Sequence, residues 1–387
     1  MNQELQHKKQ EEIPEPADPM DTDQAMAPEE EEPVMQEDNA EEQSANDEWY
    51  ERHDIVADPK QTQIRLDKFL MDRLANRSRS RVQNAIRAGS VKVDDLEVKP
   101  NYRVKPGNHI SIILPKALEE SFNIAPQNIP LDIVYEDDDV LIINKPYKMA
   151  VHPGVGIPQG TVVNAVAWHL RERVEKLPVK VGNEPDRAGI VHRIDKDTTG
   201  LMVIAKNEFS MVHLANQFFY HTIERRYWAL VWGDMEGDSG TVVGHIGRNP
   251  NDRKLFMVFP EAEDGKYAVT HWRVLERFYY VTLIECQLET GRTHQIRVHM
   301  KSTGHTLFGD PRYGGNQILK GTLYSKYKQF VETLFTILPR QALHAKVLGF
   351  THPRSGEKVH FESDLPQDMQ TVINKWREYV QSRKALI

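Results

Sequence analysis

The sequence contains a single cysteine, Cys286, in 387 residues. A lone thiol excludes an internal disulfide framework and a four-thiolate zinc site. No run of about 18 apolar residues occurs, so the usual signal of a membrane-spanning helix is missing. The amino terminus lacks the charged-then-apolar order of a secretory leader. It also lacks the arginine-rich, acid-poor composition of an organelle transit peptide. A reducing, cytoplasmic setting is the expectation that remains, with no membrane partner. Aromatic and β-branched residues are scarce from residue 1 to about 48, where Glu, Asp, Pro and Gln dominate. Such a segment cannot bury enough apolar surface to offset its ordering entropy, so a disordered acidic tail is expected.

The remaining length exceeds what one hydrophobic core usually serves. The net charge of −8 hides a strong asymmetry. Residues 1–58 carry 20 Asp or Glu against Lys8, Lys9 and Arg52, a balance of −17, which leaves +9 for the rest. Residues 59–116 alone carry 13 Lys or Arg against 5 Asp or Glu. An acidic segment beside a basic one points to a polyanionic partner such as nucleic acid. Three parts are therefore expected: an acidic tail at 1–58, a small basic α/β domain at 59–116, and a larger domain at 117–387.

In the basic part, Ile64, Leu66, Phe69, Leu70 and Leu74 recur at helical spacing. Ser78 or Ser80 is placed to cap a second helix. That helix turns Val82 and Ile86 inward and leaves Arg77, Arg79, Arg81 and Arg87 largely outside. Gly89 ends it where a left-handed residue is usual. Short strands follow at 90–93 and 109–114. Two helices with a basic edge and a small β unit suit a clamp on an RNA backbone. This segment resembles the small RNA-binding domain named after ribosomal protein S-four.

Beyond residue 117, short apolar or β-branched runs at 139–144, 201–205, 227–231 and 281–286 read as strands. Helices are expected near 161–173, 208–220, 293–301 and 369–383. The mixture predicts an α+β domain around a curved mixed or antiparallel sheet.

Two clusters carry the chemistry. The first, Arg187-Ala188-Gly189-Ile190-Val191-His192-Arg193-Ile194-Asp195-Lys196-Asp197-Thr198-Thr199-Gly200, runs directly into the strand at 201–205. Charges packed between loop and strand are costly unless paired. A carboxylate beside Arg193 and Lys196 would stay ionised and available as a nucleophile, while a surface turn with salt bridges is the reading that composition alone favours. The second is Gly291-Arg292-Thr293-His294-Gln295-Ile296-Arg297-Val298-His299. Helical from Thr293, it places His294 and Arg297 on one face, from which a buried guanidinium can pair with Asp195. A third element, Arg225-Arg226-Tyr227, sets an aromatic hydroxyl at a strand start, where it can lie against a flat base, a core tyrosine being the rival reading.

Together these residues resemble the RluA-type family of pseudouridine synthases over nearly everything from Gln61 to His352. The family motif His-Arg-Leu-Asp is matched by His192-Arg193-Ile194-Asp195, with the turn Thr198-Thr199-Gly200. Asn144-Lys145-Pro146, Val151-His152-Pro153-Gly154, Gly309-Asp310-Pro311-Arg312-Tyr313-Gly314 and Leu343-His344-Ala345 match as well. Lys148 departs from the pattern, standing where the family usually has Gly. The order of parts is most similar to the RluD branch, which modifies large-subunit ribosomal RNA. The resemblance implies isomerisation of uridine to pseudouridine, with Asp195 as nucleophile, Arg297 as its partner and Tyr227 against the base. It also implies RNA contacts from His192, Arg193, Arg292 and His294, and no cofactor, since the reaction needs neither redox change nor phosphate activation; a monomer is expected separately.

Other classes fit less well. A kinase needs a glycine-rich phosphate loop and Asp-Phe-Gly, both missing. The 16 histidines show neither His-Glu-x-x-His nor Cys/His ligand spacing, so no metal is expected. A glycosidase needs two carboxylates in opposed roles, which Asp195 and Asp197 do not offer. The serious alternative is a catalytically silent RNA-binding ribosome-assembly factor. The intact pairing of the two clusters argues against it, because a binder has no use for a nucleophile.

Overall fold

The computed structural model describes residues 50–74, 78–115, 124–154, 156–171, 189–260, 264–322 and 324–384. The expected disordered tail up to residue 48, Arg77 and the first two residues of the Asp195 cluster lie outside these.

The small domain is a four-stranded antiparallel sheet carrying two helices. Its strands are β1 (Tyr50–Val56), β2 (Val91–Val93), β3 (Leu96–Glu97) and β4 (His109–Pro115), in the order β1-β4-β2-β3. Helix α1 spans Leu66–Met71 and α2 spans Arg79–Arg87. Ser78 caps α2 by accepting from the Arg81 amide at 3.2 Å. Phe69, Leu70, Val82 and Ile86 pack with Val91, Ile110 and Ile112 into one core. The expected tail boundary at residue 58 is corrected, because Tyr50–Val56 pairs along β4 from Tyr50↔Pro115 to Val56↔His109. Its side chains alternate inward and outward, and the outward Arg52 and Asp54 ion-pair at 2.9 Å.

The large domain has one ten-stranded sheet. It contains β5 (Ile133–Glu136), β6 (Val140–Lys145), β7 (Thr199–Ala205), β8 (Glu224–Trp232), β9 (Ser239–Asn249), β10 (Asp252–Phe259), β11 (Lys266–Arg277), β12 (Val281–Leu288), β13 (Leu343–Thr351) and β14 (Lys358–Glu362). The order is β10-β9-β11-β12-β8-β13-β7-β6-β5, with β14 also on β13. The described pairings are antiparallel apart from β7 with β13, so the sheet is mixed and the chain is α+β.

The period-2 geometry of strands divides two cores across this sheet. On β8, Tyr227, Ala229 and Val231 face one core, shared with α3 (Val162–His169) and α4 (Glu208–Phe219). Leu230 and Trp232 face the other, against α6 (Ser325–Ile337) and α7 (Gln367–Lys384). Helix α6 is not among the sequence expectations. Helix α5 spans Gln295–Ser302 and lies beside β9–β11. No helix among the described residues is long and apolar enough to cross a membrane.

The small domain sits on α4. Val212 of α4 joins its core, Glu208 takes Arg81 at 3.3 Å, and Asn216 donates to the Gly89 carbonyl at 3.4 Å. Lys148, the departure from the family pattern, adopts φ 67. It holds the left-handed conformation that glycine takes freely, at a cost of about 1 kcal/mol.

Gly200 governs how β7 meets β13. Its φ is +118, and a Cβ there would lie 2.3 Å from the Ala345 carbonyl oxygen. Gly200→Ala is expected to destabilise the protein by at least ~2 kcal/mol through strain and a backbone clash. Urea unfolding measures this, and an unchanged midpoint would contradict the close approach.

Candidate active site

Two loops and one helix build the site. The first loop leaves the Ile190↔Ile204 bridge, passes Asp195 and enters β7 at Thr199. A turn hydrogen bond from Thr198 N–H to the Asp195 carbonyl, 3.0 Å, fixes its curvature. Lys145 holds the loop from below. Its Nζ is wholly buried and donates to the carbonyls of Lys196 (2.9 Å), Met149 (2.8 Å) and Pro146 (3.0 Å). Burial pulls the Lys145 pKa down to about 7, against the opposing charges of Asp195 and Asp197.

Helix α5 supplies the partner. The expected start at Thr293 is corrected: His294 has φ 56, a left-handed residue, and the helix begins at Gln295. The Gln295 side chain explains the bend. Its oxygen accepts from the Thr290 hydroxyl and the Arg292 amide, and its Nε2 donates to the Val269 carbonyl at 2.9 Å. One turn on, the buried Arg297 donates from Nη1 to Asp195 Oδ2 at 2.8 Å. Its Nε and Nη2 grip Asp310 at 2.7 and 3.0 Å. Asp310 is fully buried, and its Oδ1 also accepts from the amides of Arg312 and Tyr313. The Tyr313 ring lies 4.9 Å from the Arg297 guanidinium.

Burial pushes the Asp195 pKa up, but His294, Arg297 and Arg193 outweigh it and bring the value to about 2. Burial holds His294 far below its ordinary value and therefore neutral at physiological pH, so the arginines carry the effect there. A carboxyl depressed in the folded state stabilises the protein above its ordinary pKa. That contribution disappears as pH falls through about 2.

Above Asp195 opens a cleft of about 90 Å³, walled by Tyr50, Arg193, Arg225, Tyr227, Arg292 and Ile296 among others. Tyr227 is 8% exposed, and burial raises its hydroxyl pKa, with the Asp195 charge adding to the effect. Arg193 and Arg292 are half-buried in the cleft wall, and Arg292 Nε donates to the Tyr267 carbonyl at 3.0 Å.

Two expected RNA contacts, His192 and His294, are buried side chains that line the cleft. His192 is buried, stacks on Phe218 at 4.6 Å and accepts the Val203 amide on Nε2, which commits that nitrogen to the loop. His294 is buried and its Nδ1 shares a 2.8 Å hydrogen bond with the Tyr313 hydroxyl. Arg81 is half-buried and pairs with Glu208 at 3.3 Å where the small domain meets α4. Arg79 stays exposed beside Asp67, and Arg87 is exposed. These two lie on the small domain, apart from the cleft residues.

Asp310 and Tyr313 lie in the motif Gly309-Asp310-Pro311-Arg312-Tyr313-Gly314, but their roles are not readable from it alone. A carboxylate inside Gly309-Asp310-Pro311 was the available signal. Tyr50, whose hydroxyl donates to the Val191 carbonyl at 2.5 Å, carried no signal at all. Elsewhere, ligand atoms of Asp137, Asp139 and His352 converge within 4.8 Å. Asp139 is already taken by Arg354 through two 2.9 Å contacts and Asp137 by His352, so this knot ties a strand turn to the loop after β13.

A family model described as RNA pseudouridylate synthase matches residues 139–302, and one described as S4 domain matches residues 64–110. The chain is 44% identical over 325 residues to the uncharacterized RNA pseudouridine synthase YlyB of Bacillus subtilis, covering 84% of this chain and 98% of that one. It is 43% identical over 318 residues to the ribosomal large subunit pseudouridine synthase D of Vibrio vulnificus, covering 82% and 92%. A solved human structure, RNA pseudouridylate synthase domain containing 4, aligns over 63% of this chain and 92% of its own, at 24% identity and TM-score 0.49.

Arg297→Met strands two carboxylates, one of them fully buried. The expected loss is about 3–5 kcal/mol of folding stability. Denaturant unfolding checks this, and a loss under ~1 kcal/mol would show that the triad is not a structural pivot.

Proposed function

The chain belongs to the RNA pseudouridine synthase family, isomerases acting on RNA, and on that premise we propose that Asp195 is its nucleophile and large-subunit ribosomal RNA its substrate. The observation that carries the assignment is the 2.8 Å contact between Asp195 and Arg297 at the floor of the cleft. A uridine must leave its stack to reach this depth. The ionised Asp195 attacks the sugar or the base, and a covalent adduct forms. The N1–C1′ bond breaks, the uracil turns, C5 bonds to C1′, the adduct's bond to Asp195 breaks and restores the carboxylate, and N1 gains a proton as C5 loses one. Atoms and charge balance without a redox partner.

Each remaining residue then has a part. Arg297 keeps Asp195 ionised, and Tyr227 packs against the uracil. With its pKa raised, the Tyr227 hydroxyl starts protonated, so it helps the C5 proton leave only as a relay. Arg193 and Arg292 meet the RNA at the cleft. Arg79 and Arg87 meet phosphates from the small domain, which we take as 50–116 and whose role is affinity. His192 and His294 are positioning residues. The enzyme is proposed to act as a cytoplasmic monomer. The alternative of a silent assembly factor leaves an ionised, cleft-facing carboxylate without purpose.

Asp195→Asn keeps the shape and removes the nucleophile. Pseudouridine formation on transcribed ribosomal RNA fragments should fall by several powers of ten, with RNA affinity nearly unchanged. Turnover within about tenfold of the parent would overturn the assignment.

A further inference from the structure

Strand alternation on β8 sends Glu224 and Arg226 outward, where they pair at 2.5 Å, and sends Arg225 and Tyr227 into the cleft wall. Arg225 is 9% exposed. Its Nη2 reaches the Glu289 carbonyl at 3.4 Å, and its Nε has no hydrogen-bond partner among the described residues. Among the described residues no carboxylate pairs with it. The Glu289 carboxylate is taken by His271 at 2.6 Å, while Asp195 and Asp310 are taken by Arg297. The neighbouring His192 and His221 are held below the ordinary histidine pKa by burial and by Arg225 itself. The site nevertheless keeps the guanidinium in place. Its Cζ lies 5.6 Å over the Phe218 ring, and a Cβ at Gly291 would come within 2.8 Å of its Nη1.

A buried cation without a counter-charge is expensive, and a protein gains nothing in its free state from holding one. We propose that Arg225 binds a phosphate flanking the target uridine, so that RNA supplies the missing anion. The guanidinium fork suits two non-bridging phosphate oxygens. The inference rests on reading this cleft as the uridine site. It makes Arg225 a substrate-positioning residue that trades stability of the free protein for a fixed register of the flipped nucleotide.

The test is a binding cycle in the Asp195→Asn background, which makes no product. The RNA is a synthetic stem-loop carrying the mapped target uridine, with either normal linkages or a single neutral methylphosphonate 5′ or 3′ to it. With Arg225 present, one of the two neutral linkages should weaken binding by about tenfold or more. With Arg225→Met, the same linkage should change binding by less than about twofold, because the partner is already gone. The Tm of free Arg225→Met should equal or exceed that of its parent, as expected when an uncompensated buried charge is replaced by an apolar chain of similar length. Three outcomes would each overturn the proposal: neither linkage matters, the linkage effect persists in Arg225→Met, or Arg225→Met lowers Tm as loss of a structural arginine would. Failure of the isomerase reading would show separately, as absence of pseudouridine from the same RNA treated with the parent enzyme.

Discussion

The site depends on one guanidinium shared by two carboxylates. Asp310 is fully buried, and two backbone amides as well as Arg297 hold both of its oxygens in place whatever occupies the cleft. Asp195 receives only Nη1 of the same arginine, and the carboxylate is partly open to the cleft. The nucleophile proposed at Asp195 has to be ionised without being quenched by its own hydrogen bonds. Dividing Arg297 unequally between the two acids meets both demands. Desolvation makes such a triad costly unless nearly every lone pair finds a donor, which explains why the Arg312 and Tyr313 amides converge on Asp310.

The rest of the fold holds the two loops at this distance. The Asp195 loop is pinned by Lys145 beneath it, by the β7 contact made close by Gly200, and by His192 reaching back to Val203. The small domain is joined to the same framework. It sits on α4, whose Phe218 stacks on His192, and Tyr50 of β1 bonds the carbonyl next to that histidine. The small domain and the cleft thus share side chains, although their residues lie far apart in sequence.

Much of this was legible in the sequence. Apolar runs located β6, β7, β8 and β12, and Ser78 followed by a helical pattern located α2. The Asp195–Arg297 pairing followed from two charged clusters that could not both be buried alone. What escaped had physical reasons. β1 is half polar and follows an acidic stretch, so its alternation reads as tail. The sequence around His294 continues a helical pattern, yet the Gln295 side chain captures the preceding turn and delays the helix by two residues. The value of Asp310 lies in a partner 13 residues away, and that of Arg225 in the carboxylates that avoid it, and neither is a local property.

The central claim is that Arg297 keeps Asp195 ionised for attack. The most direct test is the pH dependence of the single-turnover rate at saturating RNA, from about pH 4.5 to 8, for the parent and Arg297→Met. With the Asp195 carboxyl titrating at about 2, the parent should show no acid limb in that window, whereas the slower Arg297→Met should acquire one. A parent profile that falls on the acid side with a midpoint near 5 or above, unaltered by Arg297→Met, would contradict the account.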